Sequence, residues 1–403
     1  MVSLLGIVLL LGIAFLLSSN RNKINWRTVG GAFAIQALIG AFILYFEPGI
    51  QMLLAMTEFV GDIIGYSQQG IDFVFGAVGN KSLGFIFAFN VLPVIIFFSS
   101  LIAVLYYLGI MNWVIRLIGG FLQKVLNTSR PESMSAAANI FVGQTEAPLV
   151  VRPFIPHMTR SELFAVMVGG LASIAGSVMA GYAGMGVELK YLLAASFMAA
   201  PGGLLMAKIM LPETESAKDD LKDIDASETS YANVFDAAAS GAASGLQLAL
   251  NVGAMLLAFV ALIAMLNGLI GWAGALFGYE DVTFQGILGY VLQPLAWAIG
   301  VPWNEAQLAG SFIGQKFVVN EFVAYLDFLQ HQQELSEVSQ AIITFALCGF
   351  ANFSSIAILM GGIGAMAPTR RKEIAQLGLK AIFAATLSNL LSASLAGFYL
   401  SLG

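Results

Sequence analysis

The chain has 403 residues, 58% of them hydrophobic and 10% charged, with a formal net charge of −6 and a mean hydropathy of +0.84. A soluble domain carries about 25% charged residues, so the composition excludes one and points to the bilayer. The single Cys348 excludes a disulfide framework and a Cys-based metal site.

Residues 1–18 lack the small-residue cleavage pattern of a secretory signal and are expected to be a retained first helix. Apolar runs at about 2–18, 28–47, 90–112, 162–186, 190–211, 247–277, 339–363 and 374–401 predict about eight transmembrane helices in an all-α polytopic membrane protein. Residues 50–67 mix charge into a helical apolar pattern and predict an interfacial helix, and residues 231–246 look similar. Ser240, Gly241, Ser244 and Gly245 in the latter suit close helix packing. The acidic stretch 213–236 reads as a loop with some helix. His157 and His331 fall at predicted segment ends and are expected to be interfacial. Boundaries are expected near residues 87 and 187, giving 1–87, a gate-like 88–187, and 188–403.

Arg21, Lys23, Arg27, Arg116, Lys124, Arg130, Arg152, Arg160, Arg370, Arg371 and Lys372 can all be cytoplasmic if both termini are outside. That topology requires 131–157 to enter and leave on the cytoplasmic side and 302–330 to do so on the outside. Within the first segment, 133–143 and 147–157 are each too short to span; at 1.5 Å per residue each reaches about 16 Å, half the hydrocarbon core. Gly143 is expected to end the first half, and Thr145 to cap the second with Pro148 in its first turn. In the second segment the first half is expected to end near Lys316, with Asn320 capping a half-helix that opens at Glu321. Two opposed re-entrant hairpins, each followed by a span with a polar break ("LASIAGS", 171–177; "NFSSIAI", 352–358), predict an inverted-repeat transporter architecture. "FVGQ" (141–144) against "FIGQ" (312–315), and "SIA" at Ser173–Ala175 and Ser355–Ala357, are the matching strings.

Non-helical backbone at midplane depth is tolerated only where protein buries it or it lines a wet cavity. Intramembrane carboxylates are costly and mark function, which singles out Glu146 and Glu321. The structural alternatives are a carboxylate capping its own half-helix or pairing with Arg152 or Lys316. Lys316 itself reads as a residue that snorkels. Asn352 and Ser355, three apart on a helix, share a face and with Glu321 could hold vicinal hydroxyls, or else bridge helices. Thr145 and Ser173, with the carbonyls of Asn139, Val142 and Ile174, could form an oxygen cage for a hard monovalent cation; each hydroxyl could equally bond its own helix.

"GQTEAPLVVRPF" (143–154), "VNEFVAY" (319–325) and "CGFANFSSIAIL" (348–359) together resemble the concentrative nucleoside transporter family, in particular its bacterial sodium-coupled members, over nearly the whole chain. The resemblance implies a homotrimeric Na⁺/nucleoside symporter of the bacterial inner membrane, with a rigid trimer scaffold and a transport domain that carries both hairpins in an elevator motion. It implies that Gln144, Thr145 and Glu146 meet the nucleobase, that Glu321, Asn352 and Ser355 hold the ribose, and that Val178 and Phe350, with Leu248 a weaker match, line the pocket. It places sodium on Asn139, Val142, Thr145, Ser173 and Ile174. Uridine-like nucleosides, other pyrimidine nucleosides and adenosine fit the pattern. Proton-coupled relatives alter the first hairpin motif, and the Thr and Ser hydroxyls here favour sodium. The competing readings are a proton-coupled transporter, an uncoupled channel, and an intramembrane enzyme using Glu146 and Glu321 as an acid/base pair, for which the chain offers no recognisable nucleophile or metal triad.

Overall fold

In a bilayer only closed hydrogen-bonding structures survive, and the described residues meet that demand with helices. The computed structural model describes residues 2–80, 84–215, 231–279 and 282–402, and no strand occurs among them. The helices are α1 (Val2–Leu16), α2 (Trp26–Leu44), α3 (Glu47–Phe75), α4 (Phe87–Asn90), α5 (Leu92–Tyr107), α6 (Ile110–Leu126), α7 (Arg130–Ala138), α8 (Arg160–Ala172) and α9 (Gly176–Met185). They continue as α10 (Leu189–Met210), α11 (Val234–Ala275), α12 (Phe284–Ala298), α13 (Trp303–Val318), α14 (Glu321–Gln330), α15 (Glu337–Leu347), α16 (Ser355–Gly361), α17 (Ile363–Met366) and α18 (Arg371–Leu400).

Six of the eight expected spans are long and apolar enough to cross a bilayer: α2, α4–α5, α8–α9, α10, α11 and α18. The other two are α1, which is short at 15 residues, and the 339–363 run, which breaks after Leu347. The interfacial helix expected at 50–67 is part of a 29-residue helix, α3. The segment 231–246 is no separate element. Its small residues let it pack on α5, and it fuses with the following span into the 42-residue α11. Most of the acidic loop expected at 213–236 lies outside the described residues. Helix α12 had no counterpart among the expected elements, because a 15-residue apolar helix interrupted by Pro294 falls below spanning length. It packs along α13, meeting it at 116°.

Between α7 and α8 the chain folds back on itself, but not with the expected boundaries. Helix α7 stops at Ala138, five residues before Gly143, and residues 139–146 form the tip. The second half is a 3₁₀ helix, Ala147–His157, because Pro148, Pro153 and Pro156 remove amide donors. Thr145 lies in the turn and caps nothing; Glu146 precedes the helix and its carboxylate accepts from the amide of Gly143 at 2.6 Å. The second fold-back is as expected in form. Helix α13 ends at Val318, and Asn320 caps α14 by accepting from the amide of Val323 at 2.9 Å. "FVGQ" and "FIGQ" are therefore not equivalent, since the first lies in a tip and the second inside α13. "SIA" likewise forms a break at Ser173–Ala175 but opens α16 at Ser355–Ala357.

Buried charge ties the first hairpin to the helices behind it. The amide and hydroxyl of Ser129 donate to Glu132 Oε2 at 3.0 and 3.1 Å at the start of α7. At the start of α8, Thr159 and Glu162 exchange a full capping box. Lys208, near the end of α10, pairs with Glu132 and donates to Ser161 Oγ at 2.9 Å. The α8–α9 span is wholly enclosed by protein, whereas only 17% of the α11 window is buried. The broken spans thus form the centre and α11 the periphery.

Candidate functional site

Two breaks and the two hairpin tips meet at this centre. The amide of Gly176, just past the first broken span, donates to the carbonyl of Phe141 in the first tip at 2.9 Å. The amide of Phe353, in the second break, donates to the carbonyl of Phe317 beside the second tip at 3.3 Å. The two breaks join each other where the amide of Phe350 donates to the carbonyl of Ser173 at 3.3 Å. Backbone groups that a continuous helix would satisfy are satisfied across elements instead. The first tip is seated on α8 at Gly170, where an added Cβ would lie 2.9 Å from Gln144 Cβ.

Around this junction runs a chain of polar side chains. Glu321, buried at the start of α14, accepts from Tyr182 Oη at Oε1 (3.0 Å) and from Asn352 Nδ2 at Oε2 (2.9 Å). Asn352 Oδ1 accepts from the Ser355 hydroxyl at 3.1 Å and the Ser355 amide at 3.0 Å. Ser355 Oγ in turn accepts from Gln144 Nε2 of the first tip at 3.4 Å. One network thus links both hairpins and the second break. Asn352 joins it from the break, capping the first turn of α16, and not from a shared helical face with Ser355. Gln144 Oε1 is buried without a protein partner, an acceptor left for a donor outside the chain. Glu146 is exposed and Thr145 half-buried, so the tip offers one buried amide and one accessible carboxylate. Glu146 and Glu321 share no partner in this network, and no ion pair joins Glu146 to Arg152 or Glu321 to Lys316 among the described residues. Val178 is buried on α9, Phe350 half-buried in the second break, and Leu248 half-buried on α11.

The expected cation residues lie along the first tip and the first break, which the Gly176–Phe141 hydrogen bond joins; Thr145, in the same tip, packs near Gly362. The side chain of Asn139 is buried at the end of α7 with both Oδ1 and Nδ2 unpartnered. The carbonyls of Val142 and Ile174 receive no backbone donor among the described residues. The Ser173 hydroxyl makes only a long contact of 3.4 Å to the carbonyl of Gly170. Orphaned neutral oxygens of this kind fit a hard monovalent cation, whose binding would satisfy them.

Two side chains central to this geometry, Tyr182 and Asn389, were not anticipated, and a third, Lys316, was expected in a different role. Tyr182, fully buried, stacks edge-on to Phe322 at 4.6 Å and lies 4.8 Å from Tyr325 while holding Glu321. Asn389 of α18 donates from Nδ2 to the carbonyls of Ala172 (2.7 Å) and Cys348 (2.8 Å), one at each broken span. Lys316 does not snorkel. It is 2% exposed, and its ammonium donates to the carbonyl of Ala346 and to Asn389 Oδ1, both at 2.8 Å.

Comparison with known proteins accords with this architecture. Residues 5–78 match the Na⁺ dependent nucleoside transporter N-terminus, residues 88–188 the nucleoside recognition (gate) family, and residues 191–397 the Na⁺ dependent nucleoside transporter C-terminus. An uncharacterized transporter of Haemophilus influenzae is 60% identical, covering 100% of this chain and 98% of the relative. The nucleoside permease NupC of Helicobacter pylori is 50% identical over 99% of this chain and 98% of its own. The structure of CNTnw in an inward-facing substrate-bound state superposes with a TM-score of 0.96 at 58% identity, covering 100% of this chain and 99% of the other. With matching domains along nearly its whole length and half its residues shared with a named permease, the chain belongs to the concentrative, Na⁺-dependent nucleoside transporter family, and is a membrane transporter and not an enzyme.

Proposed function

We propose that the chain is a symporter that imports uridine-like nucleosides, with other pyrimidine nucleosides and adenosine as further substrates, on an inward Na⁺ gradient. The observation that carries this reading is the Gln144–Ser355–Asn352–Glu321 network with its orphaned Gln144 acceptor, lying beside the unpartnered amide of Asn139. Gln144 and Glu146, with Thr145, address a base edge that offers both donors and acceptors. Glu321, Asn352 and Ser355 bind ribose hydroxyls through charge-assisted hydrogen bonds. Val178 and Phe350 form the apolar wall. Na⁺ binds Asn139, Val142, Thr145, Ser173 and Ile174. Thr145 then belongs to both sites, so bound Na⁺ orders the tip and raises nucleoside affinity, and the effect is reciprocal.

The chain works in the bacterial inner membrane with both termini outside, as a homotrimer whose hairpin-bearing part moves as an elevator against a scaffold. The exposed apolar side chains Phe59, Tyr66 and Phe73 on α3 and Leu257 and Trp272 on α11 support a surface covered by lipid or by neighbouring copies. The test is uptake of labelled uridine into proteoliposomes. The expected result is accumulation above equilibrium under an inward Na⁺ gradient, with uridine recovered unchanged. Accumulation on a pH gradient without Na⁺ would replace sodium with protons. Equilibration regardless of the gradient would make the protein a channel.

A further inference from the structure

Helix α5, which packs along the peripheral α11, also packs on α9. A Cβ added to Gly181 would lie within 3.5 Å of Ile95 and Val91, and one added to Gly176 would lie 3.4 Å from Ile102 Cδ1. Contacts therefore climb α5 as they descend α9, and positions 91, 95, 102 and 106 share one helical face. Tyr106, one turn past Ile102, falls beside the break at Ser173–Ala175. The first tip rests on that same break. A Cβ added to Gly143 would lie 3.2 Å from Ala175 Cβ and 3.1 Å from Glu146 Oε2. Tyr106 Oη is buried and has no hydrogen-bond partner among the described residues, and Glu146 is the charged group that acts on it electrostatically. The carboxylate is half engaged. Its Oε2 accepts from the Gly143 amide at 2.6 Å, and its Oε1 has no partner among the described residues. A buried donor lacking an acceptor is thus coupled to a carboxylate oxygen lacking a donor, and a buried hydroxyl left so calls for a partner. The other hairpin shows the completed form of this arrangement: Glu321 has a tyrosine hydroxyl on Oε1 and an amide on Oε2.

We propose that Tyr106 is a positioning residue for the base end of the site: when a nucleoside binds, the exposed Glu146 carboxylate turns so that Oε1 accepts from the Tyr106 hydroxyl while Oε2 stays on the Gly143 amide, which aims its remaining lone pairs at a ring N–H of the base. The proposal deepens the nucleoside reading above and rests on it. An ionised carboxylate only accepts, so it selects a base edge that offers a donor, as uridine does at N3–H. Tyr106 belongs to α5 and not to a hairpin. The held carboxylate therefore exists only while α9 lies against α5 in this register, and the peripheral helix contributes to base recognition in that register alone.

The test measures binding of two ligands to the purified full chain in Na⁺ by calorimetry: uridine, and the riboside of 2-pyrimidinone, which lacks the 4-oxygen and the hydrogen at N3. The wild type is expected to prefer uridine. Tyr106→Phe keeps the ring and removes only the hydroxyl. It is expected to weaken uridine about tenfold, the cost of a lost hydrogen bond to a charged group, and to leave the 2-pyrimidinone riboside unchanged. Glu146→Ala is expected to weaken uridine as well, and adding Tyr106→Phe to it to cost nothing further, because the two residues act as one unit. Equal losses for both ribosides, additive losses in the double variant, or no loss at all would overturn the role of Tyr106 while leaving Glu146 at the base. A wild type that binds both ribosides alike overturns the base assignment of Glu146 and this proposal with it. A wild type that binds neither overturns the nucleoside reading itself.

Discussion

Glu321, proposed to hold the ribose, has its orientation fixed before any substrate binds. Tyr182 holds Oε1 and Asn352 holds Oε2, so on the proposed reading the carboxylate need not reorganise for a ribose, and only its remaining lone pairs are offered. Tyr182→Phe keeps the ring against Phe322 and Tyr325 but frees Oε1. A hydrogen bond to a charged group is worth about 1.5–3 kcal/mol, so uridine affinity, read by calorimetry, is expected to fall by about tenfold while the melting temperature stays close to wild type. Unaltered affinity would remove Tyr182 from the site. Glu321→Gln is expected to abolish most binding, and 2′- or 3′-deoxyuridine to bind the wild type less tightly than uridine. The polar residues of this site stand out in the sequence because each interrupts an apolar run. Tyr182 and Asn389 do not, since one polar side chain inside a continuous span looks the same whether it packs or positions. Lys316 misleads for a related reason: its place near a tip says nothing about which way it points.

At the scale of elements, the breaks were legible and the continuities were not. Half-length helices followed by "LASIAGS" and "NFSSIAI" disclose fold-backs and broken spans because a 16 Å helix cannot cross a 30 Å core. The fusion of 231–246 with the next span was hidden, because Ser240, Gly241, Ser244 and Gly245 lower hydropathy without interrupting a helix that packs on α5. Three prolines turn the second half of the first hairpin into a 3₁₀ helix, and no hydropathy pattern reports that change. What anchors this hairpin is the Glu132–Lys208 pair, whose side chains are 2% and 8% exposed. Breaking one partner of a buried pair costs up to about 3–5 kcal/mol, here moderated because Lys208 keeps the half-buried Glu213 carboxylate at 3.8 Å. Glu132→Gln is therefore expected to lower the unfolding midpoint in detergent markedly. The double variant Glu132→Gln/Lys208→Met, which removes both charges, is expected to recover most of it. A double variant no more stable than the single one would show that the pair acts through packing alone.

At the scale of the molecule, the packing divides unequally. Helix α11 lies along α5, and α3 bridges from α5 to α2 and α10, while the hairpins and broken spans pack with α1, α2, α10 and α18. Between α5–α11 and the broken spans the seam is α5 against α9, where a Cβ added to Gly181 would lie 3.4 Å from Ile95 Cγ1. Ile95 and Gly181 therefore face each other in side-chain contact, which makes the two positions the place to test a cysteine cross-link. An elevator requires α9, which carries Tyr182 and Val178, to slide past α5; a gate that moves only the tips does not. The Ile95→Cys/Gly181→Cys protein, oxidised with a membrane-permeant catalyst, is expected to bind uridine normally yet lose Na⁺-driven uptake. Reduction is expected to restore uptake, and each single variant to transport throughout. Binding must be measured beside uptake, because loss of both would mean only that the cross-link has distorted the site next to Tyr182. Full uptake by the quantitatively cross-linked protein would mean that α5 and α9 move together, and the moving part would then have to be sought in the hairpins.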